Sequence, residues 1–283
     1  MVAGGATKAE AYAAAVPEVA DENAKYSASM PKTSPYVQRS QPEGVPPLAL
    51  TGERTLPDVP EENYWFRRHL AVYEWIAARC GGLDVVDMAC GEGYGTGVIA
   101  RRAARVTGVD ANPDAHAHAA AKYTAPGVRF VRDLVDRHSE PCDAVVFLQT
   151  IEHVEEPEAV LRHFREMLRP GGTVYVSTPN VLTLAPEGAE KSDNPWHLKE
   201  YRADEFRGLC ESCFGSVELL GLFHARKLRV HELALRAGWD AAHEALGLTK
   251  PFYDRFTPAI SARDFVLRRG PLDRALDFVA VLR

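Results

Sequence analysis

Residues 85–100 read VVDMACGEGYGTGVIA. Two β-branched residues lead into an acid, Asp87, and then Gly91, Gly93, Gly95 and Gly97 alternate with other residues. Glycine inside a regular element costs about 0.5–1 kcal/mol relative to alanine. Four glycines directly behind a strand-like run therefore need an offset. A ligand that requires close approach of the backbone supplies one. Working outward from this stretch, Val85–Met88 reads as a buried strand, 91–95 as a tight turn and 97–104 as a helix.

A strand and helix rhythm continues downstream. Strands are predicted over 106–109, 128–131, 144–148, 173–177 and 217–220, and the terminal ALDFVAVLR reads as a last strand. Helices are predicted over 113–122, 158–168 and 203–213. Such alternation implies strands in parallel with helices on both faces, and ligands at the carboxyl ends of the strands near the switch point. Upstream, Trp65, Leu70, Tyr73, Ile76 and Ala77 recur at helical spacing behind Pro60, Glu61 and Glu62, which predicts a helix within 51–80 that covers the domain. Residues 1–50 hold alanine, proline, serine and charges with few large apolar side chains, and read as a disordered arm with a transient helix near 6–15. Residues 225–260 read as a mixed helix and loop insertion over the site within a domain spanning 81–283.

Bulk properties narrow the function classes. The chain has 283 residues, 46% of them hydrophobic and 25% charged, enough for one sizeable core. A net charge of −6 gives no electrostatic case for a nucleic-acid partner. No apolar run approaches the roughly 18 residues of a membrane span, and the N-terminus lacks the basic start and apolar block of a signal peptide. Five scattered cysteines fit a reducing cytoplasm better than a disulfide framework. Cys210 and Cys213 form a C-x-x-C without a second pair, which reads as two packed residues on a helix rather than as zinc ligands.

Two nucleotide sites compete for the glycine turn. A dinucleotide site needs G-x-G-x-x-G with a helix N-terminus aimed at a pyrophosphate. Here Glu92 stands inside the turn, where its charge would repel a pyrophosphate, and that weighs against a nicotinamide dehydrogenase. No G-x-x-x-x-G-K-S/T is present, so no P-loop is expected. Asp87 at the strand end suits a cationic ligand instead.

DMACGEGYG resembles the first motif of the class I S-adenosylmethionine-dependent methyltransferases. VTGVDAN, FVRDLVD, DAVVFLQTIEHV and LRPGGTVYVSTPN follow in the order of that family's later motifs, over roughly residues 51–283. The resemblance implies an α/β Rossmann-like sandwich, a mixed seven-stranded sheet with helices on both faces, and S-adenosylmethionine as cofactor. It implies a cofactor site made of Asp87, Ala89, Cys90, Gly91, Gly93 and Tyr94, with Asp110 on the ribose hydroxyls beside Ala111. Asp133 and Leu134 would lie near the adenine, and Gln149 at the fourth strand. Ala89 departs from the family, which usually has glycine there. GERTLP, QTIEHV, STPN and NPWHLKEY are similar to a bacterial subgroup tied to polysaccharide and glycolipid assembly, including the actinobacterial methylglucose lipopolysaccharide type. That likeness implies O-methylation of a sugar hydroxyl on a glycan or glycolipid acceptor, with glycan-assembly enzymes as partners. A small phenolic or quinone-like acceptor is the alternative, and a non-catalytic cofactor-binding partner of a glycan-assembly enzyme is another.

A sugar hydroxyl is a poor nucleophile, so a base or a metal should help. His153, just past the fourth strand, is the first candidate base; capping the local turn or packing under the cofactor is its alternative. His197 in NPWHLKEY is the second, with Trp196 beside it to stack on a sugar ring or simply to pack. His224 is a weaker third. Some quinone-biosynthetic relatives carry E-x-x-E-H in the fourth motif and use a divalent ion. Here the pattern is Gln149-x-x-Glu152-His153, and the missing carboxylate disfavours Mg²⁺. The covering helix would bring Arg67, Arg68 or Tyr73 toward the cofactor carboxylate.

Overall fold

The structure, a computed structural model, describes residues 41–283 apart from 49–53, 58, 61, 186–190, 193, 195 and 238–248. The transient helix expected near 6–15, and the predicted arm up to residue 40, lie outside the described residues. Residues 41–48 do not behave as a free arm. Leu48 is buried, and the Pro46 carbonyl bonds to His118 Nδ1 at 2.7 Å.

In chain order the described elements are α1 (Asn63–Ala77), β1 (Asp84–Met88), α2 (Tyr94–Ile99), β2 (Arg105–Asp110), α3 (Pro113–Lys122), β3 (Val128–Arg132), β4 (Cys142–Leu148), α4 (Pro157–Met167), β5 (Leu168–Pro179), α5 (Val181–Leu184), α6 (Ala203–Glu211), β6 (Val217–His224), α7 (Arg226–Arg236), α8 (Thr249–Phe256), β7 (Phe265–Arg268) and β8 (Asp277–Leu282). One sheet has the order β3-β2-β1-β4-β5-β8-β6-β7. The strands from β3 to β5 are parallel, and β8 runs antiparallel to both β5 and β6.

Among the described residues the sheet therefore has eight strands, not the expected seven. The addition is β7, four residues paired only with β6. It is too short for alternation to reveal; Arg268 ends it and Arg269 follows, charges suited to an outer edge. The helix after the glycine turn also starts earlier than expected, at Tyr94 rather than Gly97. Gly95 and Gly97 lie inside it because neighbours leave no room for a Cβ: one on Gly95 would overlap the Tyr73 ring, and one on Gly97 would meet Tyr123 Cδ1 at 2.9 Å. Helix α3 matches its prediction residue for residue. Asn112 caps it by accepting from the Asp114 and Ala115 N–H groups, with Pro113 at the first position.

Both sheet faces are buried, and the strands sort their side chains between them with a period of two. On β8, Phe278, Ala280 and Leu282 join the core under α4 and α6, while Val279 and Val281 join the core under α1 and α2. On β4, Val145 and Phe147 face the first core, and Ala144, Val146 and Leu148 the second. Both layers are closed, so open chemistry is confined to the sheet ends.

Candidate functional site

Because β1 to β5 are parallel, the residues following Met88, Asp110, Arg132, Leu148 and Pro179 gather at one end of the sheet. The order reverses at β1, whose neighbours are β2 and β4. That switch point is where open α/β sheets bind ligands.

The turn after β1 is built for close approach. Ala89, Gly91 and Gly93 have φ of +54°, +55° and +92°. A Cβ on Gly91 would meet nothing within 4 Å, so its backbone faces open space. On Gly93 a Cβ would lie 2.8 Å from that of Ala119. Thus Gly91 faces outward and Gly93 seats the turn on α3. Ala89 holds a conformation that costs a non-glycine residue about 1–2 kcal/mol. Gln149, at the end of β4, has φ +51° and is tied to β5 by its Nε2 on Ser177 Oγ at 2.9 Å. Such strain gathers at functional sites.

Asp110 closes the second side. Its Oδ2 accepts from Gly91 N–H at 2.8 Å and its Oδ1 from Asn112 N–H at 2.9 Å. Each oxygen retains a further lone pair. Exposed Ala111 follows it, and the Asp133 N–H bonds to the Asp110 carbonyl at 3.3 Å. The Asp133 carboxylate accepts from Leu134 N–H at 2.9 Å. Cys90 is buried, and its N–H bonds to the Val109 carbonyl. Tyr94 turns toward α1, with its hydroxyl 3.1 Å from Thr55 Oγ1 and its ring edge-on to Phe66 and Tyr73.

Two acids are placed differently from their sequence reading. The Asp87 carboxylate is wholly buried, accepting from Thr96 Oγ1 at 2.7 Å and Tyr73 OH at 3.3 Å rather than facing an open ligand space. Burial pushes its carboxyl up to about 7. Glu92 does not project into the turn. It points into α3, where it meets Lys122 Nζ at 2.5 Å, Tyr123 OH at 2.7 Å and His118 Nε2 at 3.0 Å. Its charge is neutralised there, so it would not repel a pyrophosphate, and the argument against a dinucleotide drawn from it falls.

Past β4 and β5 a second group forms. His153 Nδ1 bonds to the Trp196 carbonyl at 2.8 Å. A carbonyl only accepts, so Nδ1 carries the proton and Nε2 is the basic nitrogen. His197 stands edge-on at 5.0 Å between ring centroids. Its Nδ1 donates to Glu200 Oε1 at 2.6 Å, and Asn194 Nδ2 donates to its Nε2 at 2.9 Å. Hydrogen bonds from Ser192 help hold the Glu200 carboxyl below its usual range despite burial. Glu152 is buried, accepts from Thr178 Oγ1 at 3.1 Å, and is pushed up to about 8 by desolvation. Ligand-capable atoms of Glu152, His153 and His197 lie within 4.8 Å of one another. The fourth-strand motif alone does not reveal this grouping, because His197 arrives from a separate loop. The Leu198 and Lys199 N–H groups strap that loop to the Glu152 carbonyl. Glu200 was also missed; its spacing of three from His197 was the available signal.

Other candidates are occupied elsewhere. Arg68 is buried against Asp277, with Nε to Oδ2 at 2.7 Å, and does not reach outward. Tyr73 is held by Asp87, and Arg67 bonds to Asn63. His224 sits between Tyr64 OH at 2.8 Å and Glu232 at 3.3 Å. Cys90, Cys210 and Cys213 are free and buried; Cys210 lies in α6, but Cys213 lies past its end at Glu211 rather than on the expected helix.

The comparisons with known proteins agree with this frame. A family model described as a methyltransferase domain matches residues 49–233. A Mycolicibacterium smegmatis protein named as a probable S-adenosylmethionine-dependent methyltransferase is 43% identical over 246 residues, covering 83% of this chain and 94% of that protein. A Xanthomonas campestris ubiquinone biosynthesis O-methyltransferase is 33% identical over 129 residues, covering 41% of this chain and 54% of its own. The fold is shared with a Thermotoga maritima crystal structure titled as an S-adenosylmethionine-dependent methyltransferase, with a TM-score of 0.53, 15% identity, and coverage of 78% of this chain and 93% of that one. The chain belongs to the methyltransferase domain family and is a Rossmann-like S-adenosylmethionine-dependent methyltransferase.

Proposed function

We propose that the chain methylates an oxygen, a sugar hydroxyl of a glycan or glycolipid intermediate in the cytoplasm, alongside glycan-assembly enzymes. The observation that carries this reading is the histidine pair beyond β4 and β5, with the half-buried Trp196 beside it. A hydroxyl must lose its proton as it is methylated, and imidazole suits that task near neutrality. Trp196 offers an aromatic face for the apolar side of a sugar ring.

The cofactor fits the turn in this reading. Ala89, Cys90, Gly91 and Gly93 line its methionine end with their backbone, Asp110 receives the ribose hydroxyls beside Ala111, and Asp133 and Leu134 flank the adenine. Gln149 marks the passage to the acceptor. Asp87 and Tyr94 act from behind by fixing α2 against α1. Bound S-adenosylmethionine supplies an electrophilic methyl group. The protein aligns the acceptor oxygen with it, excludes water and receives the hydroxyl proton at His153 Nε2, with His197 as second candidate. Alignment of this kind contributes roughly 7–11 kcal/mol to barrier lowering.

A second reading has one observation behind it. Glu152, His153 and His197 form a two-imidazole, one-carboxylate set, and both imidazoles have Nδ1 pinned by an acceptor, as metal-binding histidines usually do. Those residues would hold a divalent ion once Asn194 Nδ2 gave up its hydrogen bond to His197 Nε2, and the ion would acidify a bound hydroxyl. Imidazoles suit Zn²⁺ or Fe²⁺ better than Mg²⁺.

The test is transfer of labelled methyl from S-adenosylmethionine to oligosaccharide and phenolic panels, before and after EDTA treatment. Labelling of an oligosaccharide that survives EDTA, and a fall of about 10²–10⁴ for His153→Ala, are expected of the base reading. Loss with EDTA and recovery with Zn²⁺ would favour the metal. Labelling of a phenol alone would overturn the sugar reading, and a loss under tenfold for His153→Ala would move the role to His197. Tight cofactor binding without turnover on any acceptor would favour the non-catalytic alternative.

A further inference from the structure

A cavity of about 790 Å³ lies between α7 and α8, within the usual range for small-molecule sites of about 300–1,000 Å³. Its α7 wall is the stripe Lys227, Val230, His231 and Ala234, spaced as one helical face. Its α8 wall is Phe252 and Phe256, whose rings stack at 5.1 Å, and His231 lies against Phe256 at 4.5 Å. The walls are thus largely apolar, yet Val230 remains 62% exposed.

The rim has the opposite character. Arg226 and Arg263 stand there, both exposed. The acid beside them, Asp264, is already engaged with Lys227 Nζ at 2.8 Å. Neither arginine has an acidic partner among the described residues. An apolar cavity lined also by two guanidinium groups that no described acid neutralises is complementary to an anion on an aliphatic chain, since arginine binds carboxylate and phosphate through paired N–H donors.

The sheet places this cavity on the functional side. Strands β5 and β6 both run antiparallel to β8, so they point the same way. Helix α7 therefore leaves β6 at the same sheet end as the glycine turn and the histidine pair.

We propose that the cavity between α7 and α8 binds the aliphatic chain of an anionic amphiphile, with Arg226 and Arg263 on its phosphate or carboxylate head. Its role as the site for the lipid part of an acceptor rests on the glycolipid reading above; the binding does not. The test is calorimetric titration of the full chain with dodecyl phosphate, dodecanoate and dodecyltrimethylammonium, each below its micellar concentration. S-adenosylhomocysteine is titrated in parallel. Saturable binding of an anion but not of the cation is expected. Val230→Glu and the double variant Arg226→Ala/Arg263→Ala should each weaken it by about tenfold or more. Both should keep S-adenosylhomocysteine affinity, which reports that they fold. Preference for dodecyl phosphate identifies a phosphate head, and preference for dodecanoate a carboxylate. Equal binding of the cation, no binding of either anion, or anion affinity unchanged in both variants would overturn the proposal. Failure of S-adenosylhomocysteine to bind the unaltered protein would instead count against the cofactor site.

Discussion

Gly95→Ala should destabilise the protein although alanine is the better helix former. Exchanging glycine for alanine within a helix gains about 0.8–1 kcal/mol. At Gly95 the added Cβ would lie 2.6 Å from Tyr73 Cε2, with two further ring atoms closer still. Carbon atoms rest at about 3.5–4.0 Å. The Tyr73 ring must therefore move by roughly 1 Å or more, yet its hydroxyl is bonded to Asp87 and its edge packs on Tyr94. Overpacking of this kind costs about 1–3 kcal/mol, and a lost hydrogen bond about 1 kcal/mol more. Net destabilisation is thus about 1–3 kcal/mol. Gly208 in α6 is the control: it is exposed, and a Cβ there would meet nothing within 4 Å. Gly208→Ala should stabilise by about 0.5–1 kcal/mol. Urea unfolding of the two variants beside the parent reads both. A Gly95→Ala protein as stable as the Gly208→Ala one would refute the claim that glycine here serves the packing of α2 on α1.

Two further outcomes follow from the buried acids. Glu92→Ala removes the partner of Lys122 and His118 in the interior and should cost about 3–5 kcal/mol; a loss below about 1 kcal/mol in urea unfolding would show that the turn is not clamped to α3 this way. For Asp87, the folded carboxyl titrates near 7 and an unfolded one near 3.9. Between those values the native state keeps a proton that the unfolded state has released, so stability falls as pH rises, by at most about 1.4 kcal/mol per unit. Asp87→Asn lacks this loss, so the parent should lose stability relative to the variant between about pH 4 and 7. Parallel curves would contradict the burial argument.

Much of this architecture was legible from residue pattern. The alternation of strand and helix predicts α3 over 113–122, and the β-branched pair Val85–Val86 marks β1 because a strand buried on both faces reads as an apolar run. Short edge strand β7 was not legible, since four residues give alternation no length over which to show. The direction of a side chain was least legible of all. Glu92 occupies a turn position in the sequence, but Lys122, Tyr123 and His118 lie thirty residues on and draw its carboxylate inward. In the same way, Gly95 and Gly97 looked like part of a ligand cradle until Tyr73 and Tyr123 were seen to occupy the space beside them. The pairing of His153 with His197 depended on the strap between residues 198–199 and Glu152, which no local motif records.

The central claim is that the turn after β1, with Asp110 at its side, holds the cofactor. It is tested most directly by calorimetric titration of S-adenosylhomocysteine into the protein and into Asp110→Asn. The substitution keeps one oxygen for a backbone N–H but removes the charge that would bind the ribose hydroxyls. Hydrogen bonds to a charged group contribute about 1.5–3 kcal/mol. Micromolar binding to the parent, weakened about 10–100-fold in the variant, is the result this account predicts. Equal affinity for both proteins would mean that Asp110 only braces the turn and that the ribose is held elsewhere.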